Sequence, residues 1–237
     1  MKTATFKDRI TGLARRFEAL SAPERLAEAL TALPGRHVVS SSFGAQAAVM
    51  LHMATTLKPD IDVVVIDTGY LFPETYQFID TLSDRLNLNL QIFHPRRSAA
   101  HQEALHGPRW QEGLHGLEAY NRENKVEPMN RALQSLGART WVTGIRRAQA
   151  ESRSSTPFVQ YQADRDLVKV APIADWSDRD VHRYLKDNDL PYHPLWHEGY
   201  VSIGDVHTTR SLHEVDSVEE TRFFGLKREC GLHEPAA

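Results

Sequence analysis

Apolar residues Phe6, Ile10, Leu13, Phe17 and Leu20 recur at three- and four-residue spacing, which predicts an amphipathic helix early in the chain. Ser21-Ala22-Pro23-Glu24 is a capping-box pattern that opens a second helix, and Pro34-Gly35 closes it. From His37 the texture changes. A short β-rich run over 37–40 passes through Ser41-Ser42-Phe43-Gly44 into an apolar-periodic helix over 45–55. Pro59-Asp60 turns the chain into 62–66, a continuous apolar run of the kind that is buried on both faces of a sheet. Asp67-Thr68-Gly69-Tyr70 follows, and Pro73-Glu74 opens a helix to about Leu86. Strands are predicted at 88–94, at 141–143 after a helix over 129–136, and at 167–171. Ser177-Asp178-Arg179-Asp180 starts another helix ending near Asn188, and a last one is expected at about 218–224.

Strands alternating with helices predict an α/β fold with a doubly wound, mostly parallel sheet. The pattern divides the chain into an N-terminal helical segment (1–36), an α/β ligand-binding domain (37–215) and a C-terminal helix with a tail (216–237). Residues 95–127, rich in His, Gly and charge, read as an irregular excursion near the sheet's edge.

Composition narrows the partners. With charged residues at 25% and a net charge of −3, nothing draws the chain generally to nucleic acid or a membrane surface. Anion recognition must come from local clusters. The first twenty residues are charged throughout and lack an apolar run of signal-peptide length, and no segment is apolar enough to span a bilayer, so a cytoplasmic protein is expected.

The one cysteine, Cys230, rules out a disulfide framework or a Cys-only metal centre within one chain. Its neighbours Lys227, Arg228, Glu229 and His233 are too polar for a core segment, and Gly231 gives access to the sulfur. Lys227, Arg228 and His233 favour the thiolate while Glu229 opposes it. Cys230 therefore reads as a nucleophile carried on a mobile tail.

In an open parallel sheet, ligands bind beyond the carboxyl ends of the strands where strand order reverses. The turn Ser41-Ser42-Phe43-Gly44-Ala45-Gln46 offers hydroxyls and backbone N–H groups to a phosphate or sulfate, or serves only as a cap. Asp67-Thr68-Gly69 either holds a ribose or base or caps the next turn. Gly144 with Arg146 and Arg147, then Arg153, Lys125, and His207, Thr209 and Arg210, supply cationic and hydrogen-bonding groups for a ligand with several negative charges. There is no Gly-Lys-Ser/Thr phosphate loop, no His-Glu-x-x-His and no Gly-x-Ser-x-Gly.

Taken together, Ser42-Phe43-Gly44-Ala45-Gln46, the run 67–75, Lys125-Val126-Glu127-Pro128-Met129, Gly144-Ile145-Arg146-Arg147 and Lys227-Arg228-Glu229-Cys230-Gly231-Leu232-His233 resemble the assimilatory phosphoadenylyl-sulfate (PAPS) reductases. The resemblance implies a PP-loop fold of the adenine-nucleotide α-hydrolase type, a homodimer, and reduction of PAPS to sulfite and adenosine 3′,5′-bisphosphate on the way to cysteine biosynthesis. Thioredoxin or glutaredoxin would be the external electron donor. It also implies that the strand-end groups and His233 bind substrate while Cys230 is the nucleophile. The sister adenylyl-sulfate (APS) reductases carry a four-iron cluster on two cysteine pairs. Alignment through the flanking motifs puts those pairs at Tyr120 and Asn121 and at Asp205 and Thr208, so no cluster and no other bound cofactor is expected. An ATP-using PP-loop enzyme and a non-catalytic nucleotide-binding redox sensor are the competing readings.

Overall fold

A computed structural model describes residues 6–232. Helices α1 (Phe6–Phe17) and α2 (Ala22–Ala32) precede strand β1 (Arg36–Ser40), and α3 (Ala48–Leu57) leads to β2 (Asp62–Ile66). Helix α4 (Pro73–Leu86) and β3 (Asn89–Phe93) complete the first half. After α5 (Ala99–His106), α6 (Gly113–Asn121) and α7 (Glu127–Ser135) come β4 (Ala138–Thr143), β5 (Val159–Gln162), β6 (Leu167–Val170) and α8 (Asp178–Asp187).

The six strands lie in the order β3-β2-β1-β4-β6-β5, parallel except for β5, which runs antiparallel to β6. Chain direction across the sheet reverses between β1 and β4. Their carboxyl ends are in register, with Ser40 opposite Thr143. The doubly wound sheet expected from the sequence is thus observed, and its switch point falls where two polar turns begin.

Alternation along each strand feeds two cores. On one face Val39, Val63 and Val65 join a large cluster with residues of α1, α2, α3, α4 and α8. On the other, Val38, Val64 and Trp141 pack against Met129, Ala132 and Leu133 of α7. The N-terminal helices are fastened as well as packed. Arg25, buried in α2, pairs with Asp175 at 2.7 Å, donates to the carbonyl of Phe17, and stacks over Phe158 with 3.7 Å to the ring centroid.

The structure departs from the sequence pattern in three places. Residues 95–127 are helical rather than irregular. Buried Gln102 and Asn124 exchange side-chain hydrogen bonds at 2.8 and 3.0 Å, and Arg109 pairs with Glu123 at 2.6 Å. Strand β5 is an additional edge strand. The expected helix at 218–224 is two short 3-10 turns, because Phe223 and Phe224 both take positive φ, at 50° and 59°.

His193 is fully buried behind the first turn of the sheet. Its Nδ1 accepts the Leu195 N–H at 3.2 Å, which leaves Nε2 to donate to Thr75 at 3.0 Å. Burial pushes its pKa down from 6.5 to about 4. Between those values the unfolded chain binds a proton that the folded one refuses, so stability rises with pH across the window. Going from pH 7 to pH 5 should cost wild type about 2 kcal/mol more than His193→Gln. Urea unfolding at the two pH values checks this, and parallel losses would refute it.

Candidate active site

A cavity of about 460 Å³ opens at the β1/β4 switch point. Its first wall is the turn after β1. The Ser41 N–H donates to Val64 O at 3.0 Å, and Ser41 Oγ accepts the Phe43 N–H at 3.0 Å. Phe43 holds φ at 48° with its ring wholly in the core. A side chain is strained there, and the buried ring is what pins the kink. Ser41, Ser42, Gly44 and Gln46 line the cavity, whereas Phe43 anchors the turn from behind.

The turn after β4 forms the opposite wall. A Cβ at Gly144 would come within 2.9 Å of Met50 Cγ, so a larger residue would push into the wall. Buried Arg146 donates to Gln46 Oε1 and Asp178 Oδ1, each at 2.8 Å, and to the Trp176 carbonyl at 3.1 Å, tying the two walls together. Its neighbour Arg147 leaves the site: it donates to Thr156 O at 2.9 Å and lies over Phe158. Extended backbone at Arg146 sends successive side chains to opposite sides, which separates a pair that the sequence put together.

At the end of β2, Thr68 reaches the cavity while Asp67 and Gly69 do not line it. Asp67 Oδ1 accepts the Gly69 N–H and the Tyr76 hydroxyl, each at 2.8 Å, so these residues shape a turn. Three further expected ligands also point elsewhere. His207 is packed among Tyr70, Trp110 and Tyr120, with both ring nitrogens buried and, among the described residues, without a hydrogen-bond partner. That burial lowers its pKa to about 4, so the ring is neutral. Thr209 Oγ1 accepts the Gly204 N–H at 3.2 Å, and Arg210 donates to Thr209 O at 2.9 Å while covering Phe224. His233 lies outside the described residues.

The floor is made by Lys125, which sits in a π-helical turn (Arg122–Val126), and by residues that the sequence reading did not single out as ligands. Lys125 Nζ is 2.5 Å from Asp205 Oδ2. Arg222 is partly buried, its guanidinium lying over Phe223; among the described residues its side chain makes one hydrogen bond, 3.3 Å to Ser202 Oγ, and its Nε, shielded from water, has no partner. A Cβ on Gly204 would fall 2.3 Å from Arg222 Nη2, so the glycine leaves room for the cation. Burial holds the Arg222 pKa below the usual guanidinium value.

The tail closes the mouth. Glu229 receives both forks of Arg153, at 2.6 and 2.8 Å, together with Ser152 Oγ at 3.1 Å. Burial tends to raise the Glu229 pKa, but these donors and the charge of Lys169 outweigh it and hold the carboxyl below its usual range. Arg228 donates to Val218 O at 2.6 Å and to Thr221 Oγ1 at 3.2 Å. Leu232 packs on the core beneath β1 and β4. Half-buried Cys230 is thereby held inside the cavity, with Gly231 at φ 88° turning the chain past it.

A family model described as "Phosphoadenosine phosphosulfate reductase domain" matches residues 36–211, from β1 through the segment that carries Asp205. The chain belongs to this family. It is 63% identical over 220 residues to the phosphoadenosine 5′-phosphosulfate reductase of Alkalilimnicola ehrlichii, covering 93% of this chain and 89% of the relative. The Vibrio cholerae reductase is 56% identical over 226 residues, covering 95% and 88%. Among solved structures, a Candida auris PAPS reductase in a phosphate complex superposes with a TM-score of 0.75 at 29% identity, over 88% of this chain and 98% of that one. A Candida glabrata FMN adenylyltransferase shares the fold alone, with a TM-score of 0.59 at 18% identity over 92% of this chain and 71% of that one.

Within this reductase family the four positions aligned with the cluster cysteines are instructive. Tyr120, from the first pair, donates its hydroxyl to Asp205, from the second, at 3.0 Å. The two segments that carry them therefore meet in space, through a hydrogen bond between side-chain oxygens. Among the described residues no group of three or more His, Cys, Asp or Glu is placed to hold a metal ion. No helix there is long and apolar enough to cross a membrane.

Proposed function

We propose that this chain reduces PAPS to sulfite and adenosine 3′,5′-bisphosphate in sulfate assimilation, with Cys230 as the nucleophile. The observation that carries the reading is the placement of the one thiol in the same cavity as the β1 turn, Arg146, Lys125 and Arg222. The Ser41-Ser42 turn and Gln46 receive the nucleotide, and Arg222 and Lys125 neutralise the phosphosulfate. Cys230 thiolate attacks the sulfate sulfur in line. The S–O bond breaks, and the electron pair leaves with the nucleotide phosphate, giving a Cys230 S-sulfonate.

A dithiol donor of the thioredoxin or glutaredoxin type completes the cycle. Its thiolate attacks Cys230 Sγ and expels sulfite, and its second thiol then reduces the mixed disulfide and returns Cys230 as a thiol. One cysteine per chain fits this division, since the resolving thiol comes from the donor. The enzyme acts in the cytoplasm as a homodimer. Sulfite release with PAPS and APS side by side, using thioredoxin and then glutaredoxin, tests the substrate and donor. Turnover of PAPS only is expected, and preference for APS would overturn the 3′-phosphate selectivity.

The donor must reach Cys230, so the tail must open. The Arg153–Glu229 clamp resists opening together with the Arg228 hydrogen bonds and the packing of Leu232. Glu229→Gln removes the charge from two charge-assisted hydrogen bonds, which shifts the open fraction by about 10-fold. Alkylation of Cys230 by iodoacetamide should accelerate by roughly that factor. An unchanged rate would mean that the clamp does not govern access.

A further inference from the structure

We infer that Asp205 is the positioning residue for Lys125, fixing its ammonium at the cavity floor and acting on turnover through that lysine. The inference rests on the reading above, in which Lys125 meets the phosphosulfate. Asp205 begins a short turn whose backbone is held rigidly. Its residue pairs with Leu71 in an antiparallel bridge, and the Val206 N–H donates to Tyr70 O at 2.9 Å. The side chain is wholly buried, and three elements converge on its two oxygens. Thr68, after β2, donates to Oδ1 at 2.6 Å, Tyr120 of α6 donates to Oδ2 at 3.0 Å, and Lys125 Nζ lies 2.5 Å from Oδ2.

A buried ion pair is a costly way to stabilise a fold, because neutral residues of similar shape do as well or better. What such a pair supplies is position. A lysine ammonium is a point charge on a flexible four-carbon stem, and only a fixed partner holds it in one place. Asp205 is that partner, sitting deeper than the lysine: its side chain is 1% exposed against 10% for Lys125. One ammonium donor is spent on Asp205, which leaves the others for oxygens of a ligand in the cavity that both residues line. The carboxylate itself repels a polyanion, so its contribution to the reaction runs through the cation. Together with Arg222, the pair leaves one net positive charge at the floor.

The test is a double-mutant cycle with kcat and KM resolved. Lys125→Met should lose about 100-fold in kcat/KM for PAPS. Asp205→Asn keeps the shape and, through Oδ1, the bond from Thr68, but sets an NH2 against Lys125 and Tyr120 where Oδ2 stood, so it should lose roughly 10- to 100-fold in kcat while KM moves less than about 3-fold. In the Lys125→Met background the same change should cost less than about 2-fold, because the residue it serves is gone. Asp205→Glu, which retains the charge, should recover much of the kcat that Asp205→Asn loses. Equal losses in both backgrounds would overturn the inference and return Asp205 to a structural role. So would a Glu variant as impaired as the Asn variant. Should Asp205→Asn fail to fold, the Glu variant and the charge-free Lys125→Met/Asp205→Leu pair carry the comparison. The double variant should then be no slower than Lys125→Met alone. Wild-type turnover by Lys125→Met would remove the lysine's role, and the inference with it. That failure is seen in the single variant before Asp205 is touched.

Discussion

Cys230→Ser should bind PAPS and release no sulfite. The substitution replaces a sulfur nucleophile with a much weaker hydroxyl nucleophile, while the rest of the cavity is untouched. Loss of the attacking atom in other covalent enzymes removes most of the rate enhancement, so a fall of at least about 10⁴-fold in kcat is expected. The sharper measurement omits the electron donor. Wild type should then release about one equivalent of adenosine 3′,5′-bisphosphate per Cys230 and gain the mass of one sulfonate on that residue. Cys230→Ser should do neither, and PAPS should protect both proteins equally against thermal unfolding. Sulfite production by the serine variant would place the chemistry on some other group and end the S-sulfonate mechanism.

Much of the fold was legible because its central elements carry strong local signals. The run 62–66 is apolar at nearly every position and bounded by turn residues, and β2 is Asp62–Ile66 in the structure. Pro73 and Leu86 bound α4 as the pattern required. Strand β5 escaped because Val159-Gln160-Tyr161-Gln162 is short and polar at alternate positions, and only its pairing with β6, Val159 opposite Val170, makes it a strand. The helices between 95 and 127 escaped for a related reason. Their hydrogen bonds and ion pairs, such as Arg109 with Glu123 and Gln102 with Asn124, join residues distant along the chain. Local periodicity cannot register contacts of that kind.

The site divides along the same line. At the strand ends Ser41, Ser42, Gln46, Thr68, Gly144 and Arg146 reach the cavity, whereas Asp67 and Gly69 shape a turn beside it. The direction of a side chain was not legible. Arg146 and Arg147 look alike in the sequence, yet one holds Gln46 and the other holds Thr156 O. Arg153 does face the cavity, but its fork is filled by Glu229, a residue weighed at first only for its effect on the neighbouring thiol. Arg222 stood inside a segment read as a helix, where a lone arginine between threonine and phenylalanine carries no signal.

Arg222→Met should lose activity and gain stability. A partly buried guanidinium whose Nε is shielded from water and unpartnered, with no carboxylate within ion-pair distance among the described residues and a depressed pKa, is a cation kept at a cost to the folded state. Phe223 supports its face, but ring contact and the long hydrogen bond to Ser202 do not replace lost hydration. On the proposed mechanism Arg222 is a preorganised donor for the charge that shifts onto the leaving phosphate. Removing it should lower kcat/KM for PAPS by about 10²- to 10³-fold. The apolar methionine stem fills similar space, so unfolding free energy should rise by about 1–3 kcal/mol. Arg222→Lys keeps a charge without the fork and should fall between the two in activity. The opposite signs make the test decisive, because a structural arginine would lose both properties together. A variant that melts several degrees lower, with activity lost in proportion to the folded fraction, would assign Arg222 to the scaffold. One that melts higher while turnover collapses would mean that folding stability is given up at this position for catalysis.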